Sequence, residues 1–366
     1  MHTPSPFRHL PLAALACAAT ALAALPAAAQ SGVTIGGILD LAVRSVSNEG
    51  VGTMKSMVSG SNSTSRIIVS GREDLGGGLS ASFHLEHGLL ADMGAQAAAA
   101  KFWDRRSTVS LASKTLGELR LGRDFVPSYS NWSRYDPFAY VGVARTANLV
   151  SATPQGPIRA AFGSNANTTV RSDNALQVLL PAGLGGLEGG LMLAAGEGGA
   201  VANGQARLLG VRLGYAGKDF GASAATTSSE NSQTTAGKFR DTAVGGHAAV
   251  GPVRVSAAWR EFKYATSKQT LLLLGATATF GPHEVKASWT QANLSGKVGA
   301  TVVDANDATQ WGLGYVYNMS KRTALYASAA QISNDGAARF VISDGAPGIL
   351  AGGSSRGYEA GLRHRF

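Results

Sequence analysis

Apolar residues in this chain recur at every second position, and that period leaves few folds open. Leu209, Val211, Leu213 and Tyr215 alternate with Gly210, Arg212 and Gly214. Val253, Val255, Ala257 and Trp259 alternate with Arg254, Ser256, Ala258 and Arg260, and Trp311, Leu313, Tyr315 and Tyr317 alternate mainly with glycines. The last stretch sets Tyr358, Ala360, Leu362, His364 and Phe366 against Glu359, Gly361, Arg363 and Arg365. A period of two marks a β-strand with one apolar and one polar face. Helical periodicity with caps is scarce, so the chain reads as all-β.

The connections alternate in length. Short turns rich in Gly and Pro fall at 74–77, 114–117, 182–185, 216–218, 251–252, 281–282 and 320–322, where those residues supply the special backbone angles that turns need. Between them lie longer polar stretches at 48–64, 91–101, 125–168, 196–204, 229–237, 295–307 and 334–354, with a shorter one near 264–268. Seven short turns and eight longer connections imply about 16 strands, with both chain ends on the short-turn side, as in a transmembrane antiparallel β-barrel. A soluble sandwich buries its apolar face, whereas a membrane barrel turns it to lipid and keeps polar residues within. A wide sheet with many arginines on its non-apolar face suits the barrel. Closure follows, because an open edge in lipid leaves backbone groups unpaired at a cost of roughly several kcal/mol each.

Residues 1–29 have a polar start with Arg8 and His9, an apolar run from Leu10 to Leu25, and a small-residue end at Pro26-Ala27-Ala28-Ala29. This is the pattern of a secretory signal peptide, cleaved before Gln30. The expected organisation is therefore a leader at 1–29 and one barrel domain at 30–366, placed in a Gram-negative outer membrane. Cys17, in the leader, is the only cysteine, which removes disulfides, thiolate metal sites and cysteine nucleophiles. No cofactor is expected. The net charge of +9 is spread along the chain without a run of five like charges, and export argues against nucleic acid as a partner.

Residues 125–168 interrupt the pattern. The segment holds Phe125, Tyr129, Trp132, Tyr135, Phe138, Tyr140 and Phe162, far above the chain's 7% aromatic content. Loops of this length are functional or disordered, and disordered segments are poor in aromatics. The segment is therefore expected to pack against something. Its charges are Arg134, Arg145 and Arg159 against a lone Asp136.

The stretch Ser65-Arg66-Ile67-Ile68-Val69-Ser70-Gly71-Arg72-Glu73-Asp74-Leu75-Gly76-Gly77-Gly78-Leu79 resembles the second strand, turn and third-strand start of the β-proteobacterial trimeric porins. Leu121-Gly122-Arg123 followed by Asp136-Pro137-Phe138 is similar to that family's approach to its third loop, and Arg171-x-Asp173-Asn174 with Pro181 to the strand leaving it. The end, Gly361-Leu362-Arg363-His364-Arg365-Phe366, resembles the family's terminal strand. The resemblance implies a water-filled 16-stranded barrel, usually a homotrimer, with the third loop folded inward. It implies passive passage of small hydrophilic solutes. It also implies that Tyr358, Leu362 and Phe366 serve as the signal read by the outer-membrane assembly machinery. Ile68 and Ser70 depart from the Gly and basic residue expected there, and the loop is poor in acids.

Parity turns Arg66, Arg72 and Arg120 inward. Arg105 and Arg106 are adjacent, so one of them is expected to face the lumen; family alignment favours Arg105, and an apolar face of Trp103, Val109 and Leu111 favours Arg106. Arg123 lies at a strand end where a bulge turns it either way, and Arg171 stands beside the loop base. Rings of arginine are a route to anion selectivity. Alternatively, each arginine pairs with a carboxylate such as Glu73, Asp136 or Asp173 and braces the loop. The expected function is a passive, anion-preferring diffusion channel. The alternative is a barrel whose external loops carry adhesion or enzymatic activity. Gly353-Ser354-Ser355-Arg356-Gly357 matches G-x-S-x-G but lacks the strand-to-helix context of a nucleophile elbow. His84 and His87 lie three apart on a strand, pointing to opposite faces.

Overall fold

The computed structural model describes residues 32–150, 156–164, 166–197 and 204–366; the expected leader lies outside them. The wall strands are β1 (Gly32–Asn48), β2 (Gly52–Ser59), β3 (Arg66–Gly76), β4 (Leu79–Leu90), β5 (Arg106–Ser113), β6 (Gly117–Phe125), β7 (Arg171–Leu179), β8 (Leu187–Ala194) and β9 (Arg207–Ala216). They continue as β10 (Phe220–Glu230), β11 (Phe239–Val250), β12 (Val253–Tyr264), β13 (Ser267–Phe280), β14 (His283–Ser295), β15 (Ala308–Asn318), β16 (Thr323–Asn334) and β17 (Ser354–Arg365). Apart from β2 and β3, successive strands pair antiparallel. β1 closes the circle on β17, from Ile38↔Arg365 to Asn48↔Ser355. Beyond that register Gly37 and the terminal Phe366 exchange both backbone hydrogen bonds, each 3.1 Å.

β2 and β3 share one position in the wall: β2 pairs with the outer half of β1 and β3 with its inner half. The barrel is thus sixteen strands around. This corrects the reading of 48–64 as one long external loop. Glu49, Gly50 and Val51 make a tight turn, with Gly50 at φ 77°. The true interruption is 60–65, and Asp40 makes it. The Asp40 carboxylate accepts the backbone amides of Ser61 (3.3 Å), Asn62 (2.9 Å) and Ser63 (2.6 Å), and the Tyr326 hydroxyl donates to it as well. Hydrophobic pattern carries no trace of such a knot, because it is built from amides.

The two faces of the wall follow the period of two. Leu209, Val211, Leu213, Trp311, Leu313 and Tyr358 are exposed on the outside, where only lipid makes such a surface favourable. Inside, glycines take alternate positions and make room for the long loop. A Cβ on Gly245 would lie 2.4 Å from Tyr135, on Gly275 2.6 Å from Pro137, on Gly314 2.8 Å from Phe138, and on Gly210 2.8 Å from Pro127. The loop is folded into the barrel and lies on these glycines.

Within the loop are two short helices, α1 (Pro127–Ser133) and α2 (Pro157–Phe162), each with proline in its first turn, where the missing N–H costs nothing. Trp132, Tyr135, Leu149, Ile158 and Phe162 are fully buried or nearly so, against Phe239, Phe262, Leu271 and Leu273 on the inner wall. Each such side chain contributes about 1.5–3 kcal/mol on burial, which is how an aromatic-rich segment stays inside a water-filled tube.

Candidate permeation site

The loop is tied to the wall by two buried ion pairs on different sides. Arg260 donates through Nε to Asp241 Oδ1 (2.9 Å) and through Nη2 to Asp241 Oδ2 (2.7 Å). The same Nη2 reaches the carbonyl of Thr169 (3.1 Å), and Asp241 accepts the hydroxyl of Ser128 (2.6 Å). This pair therefore holds both α1 and the end of the loop. On the other side Arg44 donates to Glu359 Oε2 through Nε (3.0 Å) and Nη2 (2.6 Å), and Glu359 Oε1 accepts the amide of Val143 (3.0 Å). Removing one member of such a pair strands a buried charge.

Asp136 organises the loop's middle. Its carboxylate accepts the amides of Phe138 (2.9 Å), Tyr140 (3.1 Å) and Thr146 (3.3 Å) and the Thr146 hydroxyl (2.7 Å). Burial pushes this carboxyl above its ordinary value, and the Thr146 hydroxyl and the amides oppose that shift. The knot forces Ala139 (φ 49°) and Tyr140 (φ 68°) into the left-handed region, at a cost of about 1–3 kcal/mol each. It also aims Tyr140 into the lumen. Asp136 thus shapes the loop from behind, and it is not among the residues lining the arginine-rich cavity beside the loop.

Between the loop and the opposite wall lies a cavity of about 470 Å³, and four arginines line it: Arg66, Arg105, Arg145 and Arg171. Asn62, Ser63 and Thr64 also reach it, because the Asp40 knot turns 60–65 inward. No carboxylate is among the described lining residues. Glu86, just behind, serves two of the cations: its Oε1 accepts Arg105 Nε at 2.5 Å and lies 3.2 Å from Arg66 Nε. Arg171 has no carboxylate partner among the described residues. It donates to the carbonyl of Arg105 (2.9 Å) and stacks over the Phe125 ring, 4.6 Å from its centre. Phe125 stacks on Tyr129, and Tyr129 meets Tyr140 edge-on, both at 5.1 Å. Arg145 is held by Asn148 Oδ1 (3.1 Å).

The remaining singled-out residues lie elsewhere. Arg72, Arg106 and Arg120 line a second cavity of about 350 Å³ nearer the short turns, with Glu118 and His84. Arg120 Nε donates to Glu118 (2.8 Å) and Nη1 to Asp124 (2.9 Å). Arg123 ion-pairs with Asp173, which also takes Lys101, and its Nε donates to the carbonyl of Asp104 (2.7 Å). That cluster braces the base of the loop. The expectation that only one of Arg105 and Arg106 faces inward is corrected: Arg105 sits in a bend ahead of β5, so strand parity does not bind it, and both side chains line interior cavities at different heights. Trp103 lies in the same non-strand stretch and could not report parity. Arg145, Tyr129 and Tyr140 were visible in the sequence as loop charges and aromatics, but their aim comes from contacts the sequence does not display: the Asp136 knot for Tyr140, α1 and Phe125 for Tyr129, and Asn148 for Arg145.

A closed barrel with an apolar outside, a polar inside and a loop seated across its lumen defines a diffusion channel of the outer membrane. The sequence matches the Gram-negative porin family over residues 13–337, and the chain belongs to that family. It is 34% identical to outer membrane porin protein 32 of Delftia acidovorans over 97% of this chain and 99% of that one. Among solved structures it resembles an anion-selective porin from Comamonas acidovorans, with a TM-score of 0.76, 31% identity and coverage of 92% of this chain and 100% of that one. OmpT of Vibrio cholerae shares the fold at a TM-score of 0.63 and 13% identity, over 92% and 98% of the two chains. The protein is an outer-membrane porin.

Proposed function

We propose that this porin passes small hydrophilic solutes with a preference for anions, set by Arg66, Arg105, Arg145 and Arg171. The observation that carries this reading is their convergence on one cavity that no described carboxylate lines. Two unit charges about 4 Å apart repel by roughly 1–4 kcal/mol at effective dielectrics of 80 to 20. Such a cluster is therefore not kept for stability; a passing anion relieves the repulsion. Glu86 offsets one charge, which leaves the cavity strongly positive. Arg72, Arg106 and Arg120 extend the basic path toward the short-turn end, tempered by Glu118 and Asp124. The anion-selective relative supports the same preference.

The assembly is read as a homotrimer, on the strength of the family resemblance, with residues 1–29 removed on export and Tyr358, Leu362 and Phe366 read during insertion. We assign no enzymatic role. Ser355, in the G-x-S-x-G stretch, is buried; its hydroxyl donates to Asn48 Oδ1 (2.7 Å) and accepts the amide of Ile342 (3.1 Å), as a tie between the wall and the 334–354 loop.

The test is the reversal potential of the purified protein in a planar bilayer under a salt gradient. Wild type should be anion-selective, and the Arg66→Gln/Arg105→Gln/Arg171→Gln variant should lose most of that preference while still conducting. Cation selectivity of the wild type, or an unchanged potential in the triple variant, would remove these arginines from the assignment.

A further inference from the structure

The arginine cavity is charged on one side and apolar on the other, and a preference for anions uses only the first. Arg66, Arg105 and Arg171 come from the wall, beside Asn62, Ser63 and Thr64. The loop presents Tyr129, Ala139, Tyr140, Val141, Ala147 and Val150, with Arg145 as its one charge there. A filter for inorganic ions needs cations and water. Apolar groups beside it hold no ion, and water gains little against them. Such a lining favours an anion whose charge is attached to an apolar body. At about 470 Å³ the cavity falls within the roughly 300–1,000 Å³ of small-molecule sites.

The cations are presented as open forks. In Arg105, Arg145 and Arg171 the protein engages Nε alone, through Glu86, Asn148 Oδ1 and the Arg105 carbonyl respectively. The Nη groups of these three have no hydrogen-bond partner among the described residues. A guanidinium left open in this way meets a planar carboxylate through two parallel N–H···O bonds. Arg171 is also held against the Phe125 ring, and the aromatic run continues from there through Tyr129 to Tyr140. Both tyrosines line the cavity, and neither hydroxyl has a hydrogen-bond partner among the described residues. Rings so placed offer faces and edges to a further ring, at about 4.5–7 Å between centres.

We propose that the cavity is a transit site for small aromatic carboxylates, with the carboxylate on the forks of Arg105 and Arg171 and the ring against Tyr129, Tyr140 and Val150. Arg105 and Arg171 suit a shared ligand because the Arg105 carbonyl ties the two together. An aliphatic acid of the same charge meets the same arginines but has no ring to set against the tyrosines. An inorganic anion has no apolar body at all. The inference deepens the anion preference proposed above and rests on it: that reading needs only the arginines, and this one needs the loop's apolar side as well.

The test is block of the chloride current through single channels in a planar bilayer at neutral pH, with benzoate as probe and acetate and cyclohexanecarboxylate as comparisons. The readout is the ratio of half-blocking concentrations within each protein, so that a change in pore width cancels. In wild type, benzoate should act at an about tenfold lower concentration than acetate, the upper end of what one ring-on-ring contact contributes, and at a lower concentration than cyclohexanecarboxylate. Tyr129→Leu/Tyr140→Leu should narrow the benzoate-to-acetate ratio to about twofold. Arg105→Gln/Arg171→Gln should weaken all three acids together. If the double tyrosine variant does not fold, Tyr129→Leu alone should still narrow the ratio. A wild-type ratio near one, in a channel whose salt-gradient potential is anion-selective, would overturn this proposal and leave the arginine filter standing. An unchanged ratio in the tyrosine variants would overturn it too, as would cyclohexanecarboxylate matching benzoate, since the cavity would then select bulk and not rings. A cation-selective potential in wild type would remove both readings.

Discussion

The arginines that line the cavity between loop and wall differ in what holds them, and this determines how each responds to change. Arg66 and Arg105 share Glu86, whereas Arg171 rests on Phe125 and on a carbonyl. Glu86→Gln should therefore leave two guanidiniums uncompensated and increase anion preference, read as a larger reversal potential, with some loss of order in Arg66. Phe125→Leu removes the face under Arg171, a stacking worth about 0.5–2 kcal/mol, and should make conductance noisier without changing the sign of selectivity. Because guanidiniums stay protonated throughout the accessible range, selectivity should vary little between about pH 6 and 9. A steep fall in that window would mean that a titrating group, not arginine, sets it. Asp136 acts one step back. Asp136→Ala frees three amides and a hydroxyl and releases the left-handed turn at Ala139 and Tyr140. The expected outcome is a wider, fluctuating single-channel current from a barrel that still resists unfolding.

At the level of elements, the long loop and the inner wall are two halves of one packing problem. Gly245→Val places a branched side chain where Tyr135 now sits; overpacking of this kind costs about 1–3 kcal/mol, and the loop should lift, seen as new protease cleavage within 127–162 and raised conductance. Arg260→Met leaves Asp241 charged and buried, a loss of about 3–5 kcal/mol, measurable as a lower urea midpoint; Asp241→Asn in the same chain should restore part of it. The strand positions were legible in the sequence because period two reports directly on which face meets lipid: Leu209, Val211 and Leu213 needed no further information. The turn residues at 74–77 or 251–252 were legible for a similar local reason. The stretch 48–64 was not, because β2 there is short and polar-flanked and the inward turn at 60–65 depends on Asp40 and Tyr326, distant in the chain. Arg105 escaped for the same cause: it precedes its strand, and parity ends where the ladder does. The glycines opposite Trp311 and Leu313 were noticed as a pattern, but their purpose became visible only with Phe138 lying on them.

For the whole molecule, selectivity is a property of a field as well as of contacts. The Debye length falls from about 10 Å at 0.1 M salt to about 3 Å at 1 M, so anion preference should weaken as salt rises. Preference that stays constant over that range would place the discrimination in direct contact at the narrowest point. The seating of the loop also has a consequence in time. Residues 127–149 come early in the chain, while the glycines and aromatics they lie on, from Gly210 to Gly314, come late. No seat exists for the loop until most of the wall has been made. During assembly this protein must therefore pass through a stage in which the tube is nearly complete and its filter is not, so the last event in its maturation is also the one that stops it from being a leak.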